Sequence, residues 1–395
     1  MEIPAAPLPH QRLDSLDLLR GLAMVVMAID HARDFFSNAN FLFDPTDLTH
    51  STVGFFLTRW ITNFCAPVFM FLCGTGVFLS VSHGKPLREV QKTLVIRGLW
   101  LIFLEFTLIR FGWYFNLDYH FVKLGVIWAI GWSMIALAGL LYLPRWLVTT
   151  AGCVIMGLHN LLDGINPESL GSLGWLWNIL HVPGRLTPYP GWHFQVKYPL
   201  IPWIGVMAAG YGFGACLLWD AGKRRKFLIY LGLGLTVAFF LLRLANFYGD
   251  PHTWTFQKNA LFTCFSFLDC AKYPPSLLYL LIALGPAFLA LAWFESLSGP
   301  LVQSLVIFGR VPFIYYVLHL PLLHGMAVAV ALVRYGEAPW LFANPPWQIW
   351  PIDYTYDLVA TYLAWGAAVV LLFPVCWWFA DLKARHRDWW WLYYL

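Results

Sequence analysis

Arg20 and His31 lie in one long apolar stretch, where charged and titratable side chains are rare. They are eleven residues apart, which is close to three helical turns, so both fall on one helix face about 16 Å apart along the axis. A histidine titrates near neutrality and can take a proton from a hydroxyl or an amine, and an arginine binds anions well. Because such side chains are costly inside a bilayer, the pair predicts a functional site facing a protein interior or a watery cavity.

Two further histidines are expected near the level of His31. His50 precedes the second apolar run, and His319 lies about as deep in the ninth as His31 lies in the first. One buried histidine is commonly a neutral, hydrogen-bonded core residue, but three at one level suggest a site. We therefore predict His31, His50 and His319 as candidate catalytic residues.

A second group of charges is expected near the opposite end of the same helices. Asp17 and Arg20 are spaced to pair on one helix face, and Arg310 lies in the corresponding half of the ninth run. Each arginine could simply extend to the membrane surface and set topology. Together with the histidines, however, they suit a ligand that is anionic at one end and reacts near the other.

A polar environment is also predicted where the first two spans approach the outer face. Asp30 adjoins His31, and Arg59 and Asn63 lie close to the outer end of the second span. We predict Asp30, Arg59 and Asn63 as substrate-binding residues.

The composition requires that these side chains be positioned by membrane helices. Hydrophobic residues make up 59% of the 395 residues and charged residues 12%, whereas soluble domains are about 45–50% apolar and about 25% charged. The apolar runs are continuous and about twenty residues long, which indicates helices and not the strands of a β-barrel. We predict a single all-α, polytopic membrane domain over residues 1–395. The net charge of +4 is small and suggests no nucleic-acid partner, and no Cys/His spacing predicts a metal site.

About ten transmembrane spans are predicted from run length and flanking polarity. The ninth is overlong, and we expect it to be bent or broken at Pro321. The spans are predicted over residues 16–36, 53–82, 91–112, 122–142, 146–162, 199–219, 226–247, 274–296, 301–334 and 355–383.

The basic residues of the connections orient these spans. Connections rich in Lys and Arg, such as 223–226, alternate with connections poor in them. By the positive-inside rule both termini are predicted to be cytoplasmic. The long connections then fall on the other side and are rich in aromatic residues, which form either an interfacial belt or a stacking surface for a sugar.

Four stretches of the chain resemble a known family. They begin at Leu16, Tyr198, Lys272 and Phe308, and read LDLLRG, YPLIPWIGVM, KYPPSLLY and FGRVPF, the last running on to His319. The chain resembles the heparan-alpha-glucosaminide N-acetyltransferase group and its bacterial relatives. The Arg-x10-His element also resembles membrane acyltransferases of the acyltransferase-3 type.

The resemblance implies a multi-pass membrane acetyltransferase, here of a bacterial inner membrane. Such enzymes use acetyl-CoA from the cytoplasm to acetylate an amine or hydroxyl acceptor, in this group a saccharide, on the other side. Their active-site histidine lies in the first connection on the acceptor side, where His50 lies here. Arg20, Arg310 and Asp17 would then serve acetyl-CoA, and no metal is implied. A histidine would act as general base or as acyl carrier.

A transporter or flippase is the alternative interpretation. Buried histidine and arginine also serve as substrate or proton sites in such proteins, and Pro and Gly within the spans suit cavities in both classes. The two readings differ in whether acetyl-CoA binds. Membrane lipids are expected partners in either case, and a homo-oligomer is compatible with both.

Overall fold

The computed structural model describes residues 13–37, 43–344, 357–386, 389 and 392. The two chain ends predicted to be cytoplasmic lie outside these residues, as does the start of the last predicted span.

The apolar runs form helices, because only a helix satisfies every backbone donor and acceptor within one segment. Polar side chains cap several of them; Ser276, for example, accepts a hydrogen bond from the Tyr279 backbone at the start of α12. The helices are α1 (Asp14–Phe36), α2 (Val53–Ile61), α3 (Cys65–Ser82), α4 (Leu87–Leu104), α5 (Arg110–Tyr114), α6 (Val126–Leu140), α7 (Arg145–Leu158), α8 (Gly174–Leu180), α9 (Leu200–Phe213), α10 (Ala221–Ala245), α11 (Ala260–Leu268), α12 (Leu277–Phe294), α13 (Pro300–Arg310), α14 (Pro312–Tyr335) and α15 (Leu358–Arg385).

Helices α1 and α9 organise the packing. Helix α1 lies against α3, α12, α13, α14 and α15, and α9 lies against α3, α6 and α7. Glycines allow the closest approach: a Cβ on Gly21 would lie 1.8 Å from the Leu305 carbonyl oxygen, and one on Gly309 would lie 1.7 Å from the Asp17 carbonyl oxygen. The backbones of α1 and α13 therefore touch, as small residues permit between membrane helices.

A membrane-spanning architecture is confirmed, but the number of spans is not. Within the described part of the chain, six helical segments are long and apolar enough to cross a bilayer: Val53–Ser82, Leu200–Leu218, Ala221–Ala245, Leu277–Phe294, Pro312–Tyr335 and Leu358–Arg385. A seventh arises if Arg145–Leu162 and Pro167–Leu180, bent by 109°, form one broken span. The count of about ten and the orientation stay predictions.

The ninth span was predicted to be bent or broken at Pro321, and a break there is wrong. Pro321 lies inside the continuous helix α14, and the chain breaks at Val311 between α13 and α14. Val311 has φ −132° and ψ 47°. The residue before a proline avoids helical dihedrals, and Pro312 is suited to the first position of a new helix.

A small sheet modifies the all-α prediction. In the described residues, β1 (Phe121–Leu124) pairs parallel with β3 (His193–Val196), and β2 (Gly184–Leu186) pairs antiparallel with β3. The span predicted at 122–142 therefore begins as a strand, and its helix starts only at Val126. Lys123 therefore lies in strand β1, although the sequence prediction placed it inside a transmembrane helix.

Helix α4 continues without a chain break into α5 through a π-helical turn, Glu105–Ile109. Such turns are rare and often occur at functional sites. The turn directs the carboxylate of Glu105 into the interior of the bundle, where the residue is 3% exposed.

Candidate functional site

A large cavity lies among α1, α3, α4, α6 and the connections that carry the sheet. It holds about 1390 Å³ of space free of protein atoms, part of it open to the outside. Its wall includes Met24, Cys73 and Arg97 toward the end of the bundle near Arg20, and His31 and Asp30 toward the other end. We call these the Arg20 end and the His31 end.

His31 projects into this cavity beside three rings. Its imidazole centroid lies 5.0 Å from Trp113, 6.2 Å from Tyr316 and 4.9 Å from His319. Its Nδ1 atom is buried and has no hydrogen-bond partner among the described residues. The predicted proximity of His31 and His319 is therefore found in the fold.

His319 lies behind His31 and is not part of the cavity wall. It is fully buried, its Nδ1 donates to the Tyr315 carbonyl at 3.1 Å, and its ring stacks on Tyr315 at 5.5 Å. Because Nδ1 carries the proton, Nε2 is left as an acceptor with no partner among the described residues. This placement suits a residue that positions His31 better than one that contacts a substrate.

The three residues predicted to bind substrate come together around a carboxylate. Arg59 donates to Asp30 Oδ2 at 3.0 Å and to Asn63 Oδ1 at 3.1 Å. Arg33 lies 2.9 Å from Asp30 Oδ1, and Lys272 lies 3.9 Å from Oδ2. Asp30 and Arg59 face the cavity, whereas Asn63 lies on its far side against a smaller groove.

Three lysines from separate connections line the His31 end of the cavity. They are Lys123, Lys197 and Lys272. Lys123 lies over the Trp113 ring at 4.3 Å, and Lys197 lies over the Tyr273 ring at 4.8 Å. Burial lowers the pKa of Lys272, and the nearby Arg59 guanidinium lowers it further. The region is therefore rich in cations that face a shared space.

Tyr273 responds to these cations. Burial by itself would raise the pKa of its phenol, but Lys197, Lys272 and Arg59 bring that pKa down to about 7. Its hydroxyl lies 3.4 Å from the hydroxyl of Tyr198, whose pKa is raised by burial and by Tyr273. One of the two hydroxyls can thus lose a proton near neutrality while the other keeps its own.

Glu105, in the cavity wall, binds the first turn of α6. Its carboxylate accepts hydrogen bonds from the Gly125 backbone at 3.0 Å and from the Trp128 backbone at 3.1 Å. A carboxylate at a helix N-terminus satisfies unpaired N–H groups and complements the helix dipole. Glu105 therefore fixes the start of α6, which forms one side of the cavity.

The residues predicted to serve acetyl-CoA form one cluster at the Arg20 end. Arg20 donates to Asp17 at 3.0 Å, and Arg310 lies 3.2 Å from Asp14 and 4.0 Å from Asp17. None of these side chains belongs to the cavity wall. At this end the wall contains Arg97, whereas Arg33 and Arg59 belong to the wall at the His31 end.

His50 lies apart from the cavity. Its side chain is 68% exposed, and its Nδ1 lies 2.8 Å from Asp47. Hydrogen bonds from Thr49 and His50 lower the pKa of Asp47 to about 2. His50 thus remains a predicted catalytic residue that the fold does not bring next to His31.

Several cavity residues escaped the sequence prediction. Lys272, Tyr273 and Tyr198 lie within stretches that carry the family resemblance, so that signal was available. Glu105 and Arg97 are charges inside an apolar run, which is itself a functional signal. The sequence contained no signal for Lys123 or Lys197, because their segments come together only through the pairing of the sheet.

Comparison with known proteins adds one finding. The family model described as heparan-alpha-glucosaminide N-acetyltransferase, catalytic, matches residues 12–243, which is more than half of the chain. No curated protein matches the chain significantly. The matched range includes His31, Arg59 and Lys197 and ends before Lys272 and His319.

Proposed function

The chain belongs to the heparan-alpha-glucosaminide N-acetyltransferase catalytic family, and on that premise we propose that it acetylates a saccharide across a membrane. The acetyl group comes from cytoplasmic acetyl-CoA, and the acceptor is an amine or hydroxyl group on the other side. The membrane would be a bacterial inner membrane, and its lipids would contact the protein. A homo-oligomer is compatible with the fold.

The cavity is the observation that carries this proposal. Its wall runs from Arg97 and Cys73 at the Arg20 end to His31 and Asp30 at the His31 end. A donor entering from one side and an acceptor entering from the other could meet within it. Small-molecule sites are typically concave and apolar with a few converging polar groups, and this cavity has that character.

The reaction needs a proton acceptor beside the acetyl carbon, and we assign that role to His31. The acceptor nitrogen or oxygen attacks the thioester carbonyl while His31 takes its proton. The tetrahedral intermediate then expels the CoA thiolate, which His31 reprotonates. In the two-stage variant, His31 attacks the thioester carbonyl and forms an acetyl–imidazole bond as the CoA thiolate leaves. The acceptor then attacks the acetyl carbon, gives up its proton, and releases the imidazole.

The charges around His31 suit the oxyanion of that intermediate. Lys272 and Lys123 line the same part of the cavity, and cations placed beforehand stabilise developing negative charge strongly in a site that excludes water. Asp30 and Arg59 would bind the acceptor's polar groups.

The Arg20 end suits the anionic part of the donor. Acetyl-CoA carries phosphate groups, and arginines bind them in a bidentate manner. Arg97 would contact the phosphates of a donor inside the cavity. Arg20 and Arg310 would contact the donor nearer the membrane surface. Asp17 and Asp14 would hold those two arginines in place.

Acetyl-CoA binding tests the proposal. Purified protein in detergent is titrated with acetyl-CoA by calorimetry and then incubated with radioactive acetyl-CoA and amino sugars. Saturable binding with transfer of label to a sugar supports an acetyltransferase. Absence of acetyl-CoA binding, together with sugar flux in proteoliposomes, would replace it with the transporter interpretation.

A further inference from the structure

We propose that His159, Asp163 and His181 form a zinc site outside the cavity. Their candidate ligand atoms all lie within 4.8 Å of one another. No sequence spacing predicts this, because His181 is separated from the other two by a bend and a short helix. The site holds two imidazoles and one carboxylate, a donor set that Zn²⁺ uses with a water molecule as fourth ligand.

The three residues converge where the chain turns sharply. His159 begins a 3-10 turn that follows α7, Asp163 follows that turn, and His181 ends α8. The two helical segments meet at 109°. This bend carries residues that are distant in sequence to one point.

The imidazoles lack the partners that a purely structural role would supply. His159 is 2% exposed and His181 is fully buried. Neither nitrogen of His159, nor Nδ1 of His181, makes a hydrogen bond of normal geometry with the described residues, although the Pro275 backbone lies close enough to His159 to interact with it. Buried ring nitrogens are normally satisfied. A metal ion would give one His159 nitrogen a partner, and on His181 it would bind Nε2, which lies beside Asp163.

The spacing of the ligand atoms already approaches that of a coordination shell. His181 Nε2 lies 3.0 Å from Asp163 Oδ1, and two ligands of a tetrahedral zinc ion with bonds of about 2.0 Å lie about 3.3 Å apart. The His159 and His181 ring centroids lie 5.6 Å apart.

A second layer of hydrogen bonds orients the carboxylate. Asn160 Nδ2 donates to Asp163 Oδ2 at 2.8 Å, and Asn160 Oδ1 accepts from the Leu277 backbone at 2.9 Å. Metal ligands are usually held in this way. Asp163 is 21% exposed, which leaves a path for the ion to enter.

The location gives the ion a structural task. Through Asn160 and the Pro275 backbone, the site adjoins the segment that carries Lys272 and Tyr273 to the cavity wall. Zinc would therefore tie the bend between α7 and α8 to that segment and hold the His31 end of the cavity in shape.

Metal analysis of the purified full-length protein tests the site. The protein is equilibrated with Zn²⁺, passed through a desalting column, and assayed by plasma mass spectrometry, with affinity measured by chelator competition. We expect about one zinc ion per chain, and at least tenfold weaker binding in Asp163→Asn and His181→Ala. His120→Ala is the matched control, because His120 also pairs with an aspartate, Asp118, but on the surface and without a third ligand.

Two results would overturn the site: wild-type protein that takes up no zinc at micromolar concentration, or variants that bind it as tightly as wild type. Folding is monitored independently by size-exclusion profile. Asp163→Asn keeps the size of the side chain. Zn²⁺ should raise the Tm of wild type and of His120→Ala, and it should leave the Tm of Asp163→Asn unchanged.

Discussion

His31 on α1 and His319 on α14 face each other with their ring centroids 4.9 Å apart and their planes inclined by 63°. His31 lines the cavity, and His319 is fully buried behind it. The contact exists because α1 packs along α14. Under the proposed function this arrangement gives the two histidines different tasks: His31 would contact the substrate, and His319 would hold the ring of His31 in place.

Replacement of His31 tests this division directly. We expect His31→Gln to lower kcat of acetyl transfer by about 10²–10⁴-fold, because a positioned general base contributes about that much. Acetyl-CoA affinity should be retained. Calorimetry and a radioactive transfer assay measure the two quantities separately.

His50 and His252 complete this experiment. If His31 is the base, His50→Ala should retain acetyl transfer within a few-fold of wild type. If His50→Ala loses transfer while His31→Gln retains it, the base is His50. His252→Ala is the control, because His252 is 79% exposed and has no part in the cavity wall.

The ion pair between Arg59 and Asp30 should contribute strongly to stability. Asp30 is 18% exposed and Arg59 is 13% exposed, so removing the guanidinium leaves a buried carboxylate with one partner fewer. We expect Arg59→Ala to destabilise the protein by about 2–3 kcal/mol. Thermal unfolding in detergent measures the change.

A surface ion pair provides the comparison. Arg385 and Asp381 form an exposed pair along α15, and such pairs are worth about 0.3–0.5 kcal/mol. Arg385→Ala should therefore barely change the Tm. Equal losses in both variants would contradict a special role for the buried pair.

Tyr273 should ionise near neutral pH. Its pKa is lowered from 10.0 to about 7, so absorbance at 295 nm should show one early phenol titration that Tyr273→Phe removes. Lys197→Gln should move that titration to higher pH, because it removes the positive charge that lowers the pKa of Tyr273 most. An unchanged early step in Tyr273→Phe would assign it to another tyrosine.

The same shift has a consequence for stability. A phenol whose pKa is lowered by folding stabilises the folded state fully above about pH 10, and this contribution disappears as the pH falls through about 7. The stability difference between wild type and Tyr273→Phe should therefore grow in favour of wild type from pH 7 to pH 9. Unfolding midpoints at both pH values measure it.

The backbone contact between α1 and α13 should tolerate no side chain. We expect Gly309→Ala to cost about 1–3 kcal/mol, because its Cβ would lie 1.7 Å from the Asp17 carbonyl oxygen. The displacement would also move Arg310 away from Asp14. Gly325→Ala is the control, since a Cβ there meets nothing within 4 Å and alanine favours a helix. Similar Tm losses in both variants would refute the packing argument.

The sequence by itself determined the protein class and the family. Continuous apolar runs can satisfy their backbone only as helices in a bilayer, and the eleven-residue spacing of Arg20 and His31 places them on one helix face. The sequence also placed Asp30, Arg59 and Asn63 near the same ends of consecutive spans, and in the fold Arg59 hydrogen-bonds both Asp30 and Asn63.

The tertiary structure decided which residues share a cavity. Lys123 and Lys197 come together through pairing of β1 with β3, and such non-local pairing leaves no local sequence pattern. His159, Asp163 and His181 likewise meet only because α7 and α8 bend at 109°. Spacing along a helix is a local property readable from sequence, whereas proximity between segments exists only once the chain has folded.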